Sequence, residues 1–421
     1  MILAYRILTT LIYPLLFIFI LIRLILKKED PNRYKEKILT SHFKVTRKKN
    51  TKLIWFHAAS IGEFKSILPI IKKLSHNNEL EFLVTTLTLS SSNIAKEEFK
   101  KFDNIHHRFL PFDVGFLINK FLLMWEPHVI FFVDSEIWPN LIINANKNKI
   151  PLALINARIT SKTFNKWVKI SQTAKKIFSL FDLCLVSNLE TKAYLKKLNA
   201  KNIYFYGNIK FISQINESNI KNDNEKILAK NRFWIAASTH QGEDDLCLKT
   251  HLMLKEKYND IITIIAPRHI QRSEDIKSKC DDYNLTAQIL NKGELILNNK
   301  EIVIINSYGV LNDYFKYAKS VFIGKSTLKK LKDVGGQNPI DAAKLGCKIY
   351  NGPYVYNFSE VYRILEENFI SKKISNHKEL GENLIKDLDI KQKSKNRITN
   401  VINSLGSKTL ADTMKKINNF I

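Results

Sequence analysis

Several short stretches of this sequence carry residue types suited to moving a group from an anionic leaving group to an alcohol. The first spans residues 53–68, LIWFHAASIGEFKSIL, where an apolar run stops at His57-Ala58-Ala59-Ser60 and Glu63 opens a segment with Phe64, Ile67, Leu68 and Ile71 at helical spacing. That pattern is a strand, a tight turn and a helix. In an open parallel sheet, ligands sit at the carboxyl ends of strands, so the small-residue turn admits a substrate and sets Glu63 at its rim as a candidate general base. The same position also suits an acid that does no more than favour the positive end of a helix dipole. In FVDSEIWPN, residues 132–140, Asp134 and Glu136 end a second apolar run, placed to hold sugar hydroxyls or to support developing charge, while Glu136 equally fits a first-turn acid. Lys210, in Gly207-Asn208-Ile209-Lys210-Phe211, is placed to neutralise a departing phosphate. Arg268, in Ala266-Pro267-Arg268-His269, offers a phosphate the planar fork that lysine lacks. Finally, Gly335-Gly336-Gln337-Asn338-Pro339-Ile340-Asp341 is a glycine turn entering a helix, whose first N–H groups suit phosphate and whose Asp341 suits ribose hydroxyls.

The elements that must position these residues alternate. Apolar runs at 81–86, 128–133, 151–155 and 182–186 are separated by helical patterns near 91–102, 114–125, 136–147 and 189–198, and the alternation resumes with runs at 233–237, 261–266, 301–305, 320–323 and 347–350. Near-continuous apolar strands belong to parallel sheets covered on both faces, so the fold class is α/β with two Rossmann-like domains facing a cleft. A polar stretch at 208–223 reads as the linker, leaving 29–207 as the first domain and 224–421 as the second, with a terminal helix after 391. Residues 1–28 form an apolar stretch between Arg6 and Arg23, with Lys27, Lys28, Arg33, Lys35 and Lys37 at or after its end. That is an uncleaved membrane anchor, and its positive flank keeps the body on the cytoplasmic side. Residues 160–180 interleave Phe164, Trp167, Val168 and Ile170 with lysines, which fits a membrane-surface helix and a core helix with a solvated face equally well.

The chain carries 66 Lys and Arg against 40 Asp and Glu, a net charge of +26, which points to a polyanionic partner or to a Lys-rich surface. No nucleic-acid-reading motif accompanies the charge, so nucleic acid is not expected. Cys184, Cys247, Cys280 and Cys347 lie far apart without metal-ligand spacing, as reduced thiols of a cytosolic body do.

The strings HAASIGEF (57–64), DSEIWPN (134–140), INARIT (155–160), GNIKF (207–211), ASTHQGE (237–243), APRH (266–269) and GGQNPIDAA (335–343) closely resemble the 3-deoxy-D-manno-octulosonic acid (Kdo) transferases, in the family's order and over nearly the whole chain. The resemblance implies a GT-B glycosyltransferase at the cell inner membrane that moves Kdo from CMP-Kdo to a phosphorylated lipid A precursor, inverting the anomeric centre without a metal or other cofactor. It makes Glu63 the base and gives Glu136 and Lys210 transition-state stabilisation. It maps CMP contacts to Pro267 and Arg268, to Tyr308, Gly309 and Val310, and to Asn338, Pro339, Ile340 and Asp341. Departures from the family pattern fall at Gln337 (commonly His), Asp341 (commonly Glu), Asn306 and Val310 (commonly acids) and Lys325 (commonly Gly), so only backbone contacts carry over at 310. Two other readings remain: another GT-B enzyme with a lipid acceptor, and a non-catalytic, membrane-anchored lipid A-binding protein that has lost its donor contacts.

Overall fold

The computed structural model describes residues 1–48, 50–213, 215, 222–389 and 393–421. Part of the expected linker, 214 and 216–221, lies outside the described residues, as do 391 and 392 at the start of the expected terminal helix. The chain divides into two compact units, residues 1–213 with 406–421, and residues 214–405.

In the first unit seven parallel strands, β1 (Lys52–His57), β2 (Leu80–Thr86), β3 (Ile105–Phe109), β4 (Val129–Val133), β5 (Leu152–Ala157), β6 (Leu183–Val186) and β7 (Ile203–Phe205), lie in the order β3-β2-β1-β4-β5-β6-β7. Successive side chains of β1 point to opposite faces, so Leu53 and Trp55 enter one core and Ile54 and Phe56 the other. In the second unit β8 (Arg232–Thr239), β9 (Ile261–Pro267), β10 (Ala287–Leu290), β11 (Ile302–Ile305), β12 (Ser320–Ile323), β13 (Lys348–Asn351) and β14 (Ser371–Lys373) are again parallel, in the order β10-β11-β9-β8-β12-β13-β14. Strand order reverses between β1 and β4 in one sheet and between β8 and β12 in the other, and such reversals open a crevice at the strand ends. The expectation of two Rossmann-like halves is met.

Four differences from the sequence reading have physical causes. β3, β7, β10 and β14 were not expected from the apolar pattern; all four are edge strands, half-exposed along much of their length, so they lack a continuous apolar run. The expected helix at 160–180 is two helices, Ser161–Val168 and Ser171–Phe178, with Phe164 and Trp167 packed toward the core and the lysines in solvent. The helix expected from Glu136 starts at Pro139, a residue suited to the first helical position, leaving Glu136 in the irregular segment before it. Lastly, residues 406–421, expected in the second domain, pack with the first unit. Met414 and Ile417 join its core and Phe420 lies 5.9 Å from Phe131, ring centre to ring centre.

The N-terminal helix α1 (Ile2–Ile25) is long and apolar enough to cross a membrane, with a mean hydropathy of 2.3. It is followed by a buried ion cluster in which Glu29 accepts from Arg23 at 2.6 Å and from Lys37 at 2.5 Å.

Candidate active site

Helix α2 (Ile61–Leu74) begins at the carboxyl end of β1 with a reciprocal cap. The Ser60 hydroxyl accepts from the Glu63 amide at 3.3 Å, while the Glu63 carboxylate accepts from the Ser60 hydroxyl at 2.9 Å and from the Ala59 amide at 2.8 Å. The helix-start role is therefore real. Burial, then the neighbouring Asp134 and Glu136 carboxylates, push the Glu63 carboxyl up to about 7, against the lowering effect of its Ser60 and Ala59 bonds. A carboxylate with that affinity takes a proton from an alcohol far better than an ordinary one. A Cβ built on Gly62 meets nothing within 4 Å, so the backbone beside Glu63 faces open space.

Across the strand reversal, Asp134 follows β4 in the left-handed backbone region (φ 57°), unusual for a residue other than glycine. Its carboxylate accepts from Lys210 Nζ at 3.1 Å and from the Asn156 side-chain amide, while Asn156 Oδ1 accepts from the Ile209 amide at 3.1 Å. Asn156 thus ties the end of β4 to the turn that carries Lys210. That turn needs Gly207: its φ is 101°, and a Cβ there would stand 2.8 Å from Thr409 Oγ1. Lys210 pairs with Asp134; no ion pair between Lys210 and Glu136 is found among the described residues.

Glu136 is held separately. The Trp138 indole N–H donates to its Oε2 at 2.9 Å, and His57 Nε2, otherwise without a hydrogen-bond partner, lies 3.5 Å from the same oxygen. Thr85 Oγ1, which accepts from Trp55 Nε1 at 2.9 Å, lies 2.9 Å from His57 Nδ1. His57 was not singled out from the sequence; a histidine ending an apolar run directly before the turn was the available signal.

In the second unit Pro267 is buried at the end of β9 and the exposed Arg268 follows, its amide donating to Thr239 O at 3.0 Å. Tyr308 and Gly309 are exposed after β11, and Val310 and Ser307 line a cavity of about 170 Å³ together with Asn291, Lys292 and Tyr314. Asn338 Oδ1 accepts from the Ile340 amide at 3.1 Å, and Pro339 and Ile340 are buried while Asp341 is half-buried. The helix that follows, Ile340–Lys344, is a single turn, so the dipole expected there for phosphate is weak. Gly335 and Gly336 are enforced by packing: a Cβ on Gly335 would stand 2.1 Å from Tyr354 O, and Gly336 has φ 88°.

One residue organises this surface and was missed by sequence reasoning. Glu243 is fully buried; its Oε1 accepts from Ser326 N, Thr327 N and Thr327 Oγ1, and its Oε2 from His240 N and Lys325 N, at 2.6–3.1 Å. It therefore joins the loop after β8 to the loop after β12. The signal was its place three residues after His240, at capping-box spacing. Among the described residues no group of three or more His, Cys, Asp or Glu side chains is arranged to hold a metal ion.

Residues 32–213 match the family model described as 3-deoxy-D-manno-octulosonic-acid transferase (kdotransferase). The 3-deoxy-D-manno-octulosonic acid transferase of Rickettsia bellii is 31% identical over 353 residues, covering 83% of this chain and 82% of its own. The Haemophilus influenzae protein of the same name is 30% identical over 335 residues, covering 75% and 74%. This chain belongs to the Kdo transferase family. Its fold is shared with a glycosyltransferase from Rickettsia africae (TM-score 0.58, 9% identity, 87% of this chain and 97% of that one) and with the UDP-GlcNAc 2-epimerase of Neisseria meningitidis (0.58, 12%, 87% and 100%). With two seven-stranded parallel sheets, this member of the family has the GT-B fold. Its departure at Lys325 now has a structural reading. Lys325 has φ 59°, a conformation glycine adopts without cost, so the lysine holds strained backbone. Burial, then the nearby Arg268, lower the Lys325 pKa, which marks two cations facing one region.

Proposed function

We propose that this enzyme transfers Kdo from CMP-Kdo to the primary hydroxyl of a phosphorylated lipid A precursor at the inner membrane, in one displacement that inverts the anomeric carbon. The first unit binds the acceptor and the second the nucleotide. Glu63 takes the hydroxyl proton as the acceptor oxygen bonds to the Kdo anomeric carbon, and the bond from that carbon to the CMP phosphate oxygen breaks with its electron pair remaining on CMP. The observation that supports this reading most is a carboxyl raised to about 7 at a strand end, in a chain of the Kdo transferase family.

Asp134 and Glu136 keep Glu63 basic by their charge, and Glu136 faces the positive character that develops on the ketose ring in the transition state. Lys210, held by Asp134, and Arg268 answer the charge growing on the phosphate, a role that requires no metal ion. Val310 lines the cavity that takes the nucleotide, with Tyr308 and Gly309 preceding it in the same loop, and Asn338, Pro339, Ile340 and Asp341 carry the ribose and phosphate contacts. Asp341 reaches one methylene less than a glutamate, so its ribose contact requires either a closer backbone or a water between. The reading is tested with Glu63→Ala: transfer from labelled CMP-Kdo is abolished while CMP-Kdo binding persists, and retained turnover excludes Glu63 as the base.

A further inference from the structure

The helix expected to be a membrane anchor does not stand free of the body. Tyr5, Thr9, Tyr13, Leu16 and Ile20 recur on one side of α1, at the spacing of a 3.6-residue helix, and that side is docked on the first unit. Tyr5 donates to Asp113 at 2.9 Å, Asn140 donates to Thr9 at 3.1 Å, and Tyr13 donates to Ile38 O at 2.6 Å. Arg6, beside this row, donates to Asn144 at 2.8 Å, and Ile20 is 1% exposed. Asp113 is itself buried and receives the amides of Asn140 and Leu141 at 2.9 Å, so the latch is part of the first turn of helix Pro139–Lys147.

The opposite side is bare and apolar: Leu8, Leu11, Leu15, Ile18 and Ile22 are each 50–71% exposed. On the neighbouring helix Gly115–Trp125, Phe116 and Leu123 are 47% and 56% exposed with Lys120 between them in solvent, and the Tyr13 ring meets Phe116 edge-on at 5.0 Å. Lys27 and Lys28 are exposed directly after the C-terminal end of α1. To cross a bilayer, α1 would have to break the bonds of Tyr5, Thr9 and Tyr13 to the body and leave those polar groups unpaired in or beside hydrocarbon, or drag Asp113 and Asn140 in with it. Lying flat, it keeps every bond and sinks only its aliphatic face, with lysines level with anionic headgroups.

We propose that α1 lies in the plane of an anionic lipid leaflet, embedded by its exposed face and latched to the first unit by the other, with both ends on the body's side of the membrane. This deepens the membrane reading above and rests on it. The test uses full-length protein with a short epitope on each terminus, made in cells from which right-side-out and inverted vesicles are prepared. External protease removes both epitopes from inverted vesicles and neither from right-side-out ones. Removal of the N-terminal epitope only from right-side-out vesicles establishes a span and overturns the proposal. Flotation with phosphatidylethanolamine–phosphatidylglycerol vesicles checks the underlying reading separately. The intact chain floats, and Leu11→Asp with Leu15→Asp reduces the bound fraction roughly tenfold at unchanged Tm. A chain that stays with the dense fraction, or that instead self-associates through this face in solution, ends both the membrane reading and the proposal.

Discussion

Asp134→Asn separates a catalytic account of Glu63 from a purely structural one. Burial, Asp134 and Glu136, in that order, lift the Glu63 carboxyl from 4.5 to about 7. A base must be deprotonated to act, so kcat/KM rises with pH, about tenfold per unit below that value and levelling above it. Removing the Asp134 charge eliminates the larger of the two like-charge contributions and releases Lys210 Nζ, now 3.1 Å from Asp134, from its carboxylate. Both changes favour the ionised Glu63, and the rising limb moves down by on the order of one unit. At pH 6 about a tenth of Glu63 is ionised in the parent enzyme and about half in the variant, so the acid penalty shrinks about fivefold even if the plateau falls. The assay is initial-rate transfer from labelled CMP-Kdo across pH 5–9, with Glu63→Gln as the control that removes the limb and costs on the order of 10²–10⁴ in rate. A limb that stays in place or moves upward in Asp134→Asn refutes the assignment.

Three further outcomes follow from packing and hydrogen bonding. Glu29→Gln strips the carboxylate from the buried Lys37 ammonium and destabilises the first unit by about 3–5 kcal/mol, read by urea unfolding. In Glu243→Gln the amide NH₂ confronts at least two donors whichever way it turns, so the variant loses about 1–3 kcal/mol and CMP no longer raises its Tm as it does that of the parent. Lys325→Gly relieves the left-handed lysine and stabilises by about 1 kcal/mol in thermal unfolding, while weakening CMP binding if Lys325 supplies a cation beside Arg268.

The centre of each sheet was legible because strands buried on both faces must be continuously apolar, as Ile54-Trp55-Phe56 and Ile130-Phe131-Phe132-Val133 are. Edge strands such as Ile203–Phe205 are held by pairing on one side only and carry no such run. Glu63, Asp134 and Glu136 were readable as candidates because apolar runs end just before them, and the strand reversal between β1 and β4 is why they meet. Nothing local to the sequence indicates that Asn156 bridges Asp134 to Ile209, or that Glu243 gathers a loop some eighty residues away. Such links depend on parallel crossovers that bring distant loops to the same sheet end. The docked face of α1 was concealed for a different reason: a helix apolar almost throughout gives little contrast, and only Tyr5, Arg6, Thr9 and Tyr13 mark the side that turns to protein.

The most direct measurement incubates the full-length enzyme with CMP-Kdo and tetraacylated lipid A precursor and follows the acceptor by mass spectrometry, beside Glu63→Gln that still binds CMP-Kdo. A Kdo adduct with release of CMP by the parent, formed on the order of 10²–10⁴-fold more slowly by the variant, is the predicted result. An unmodified acceptor with the parent, or equal adduct formation by the variant, contradicts the account.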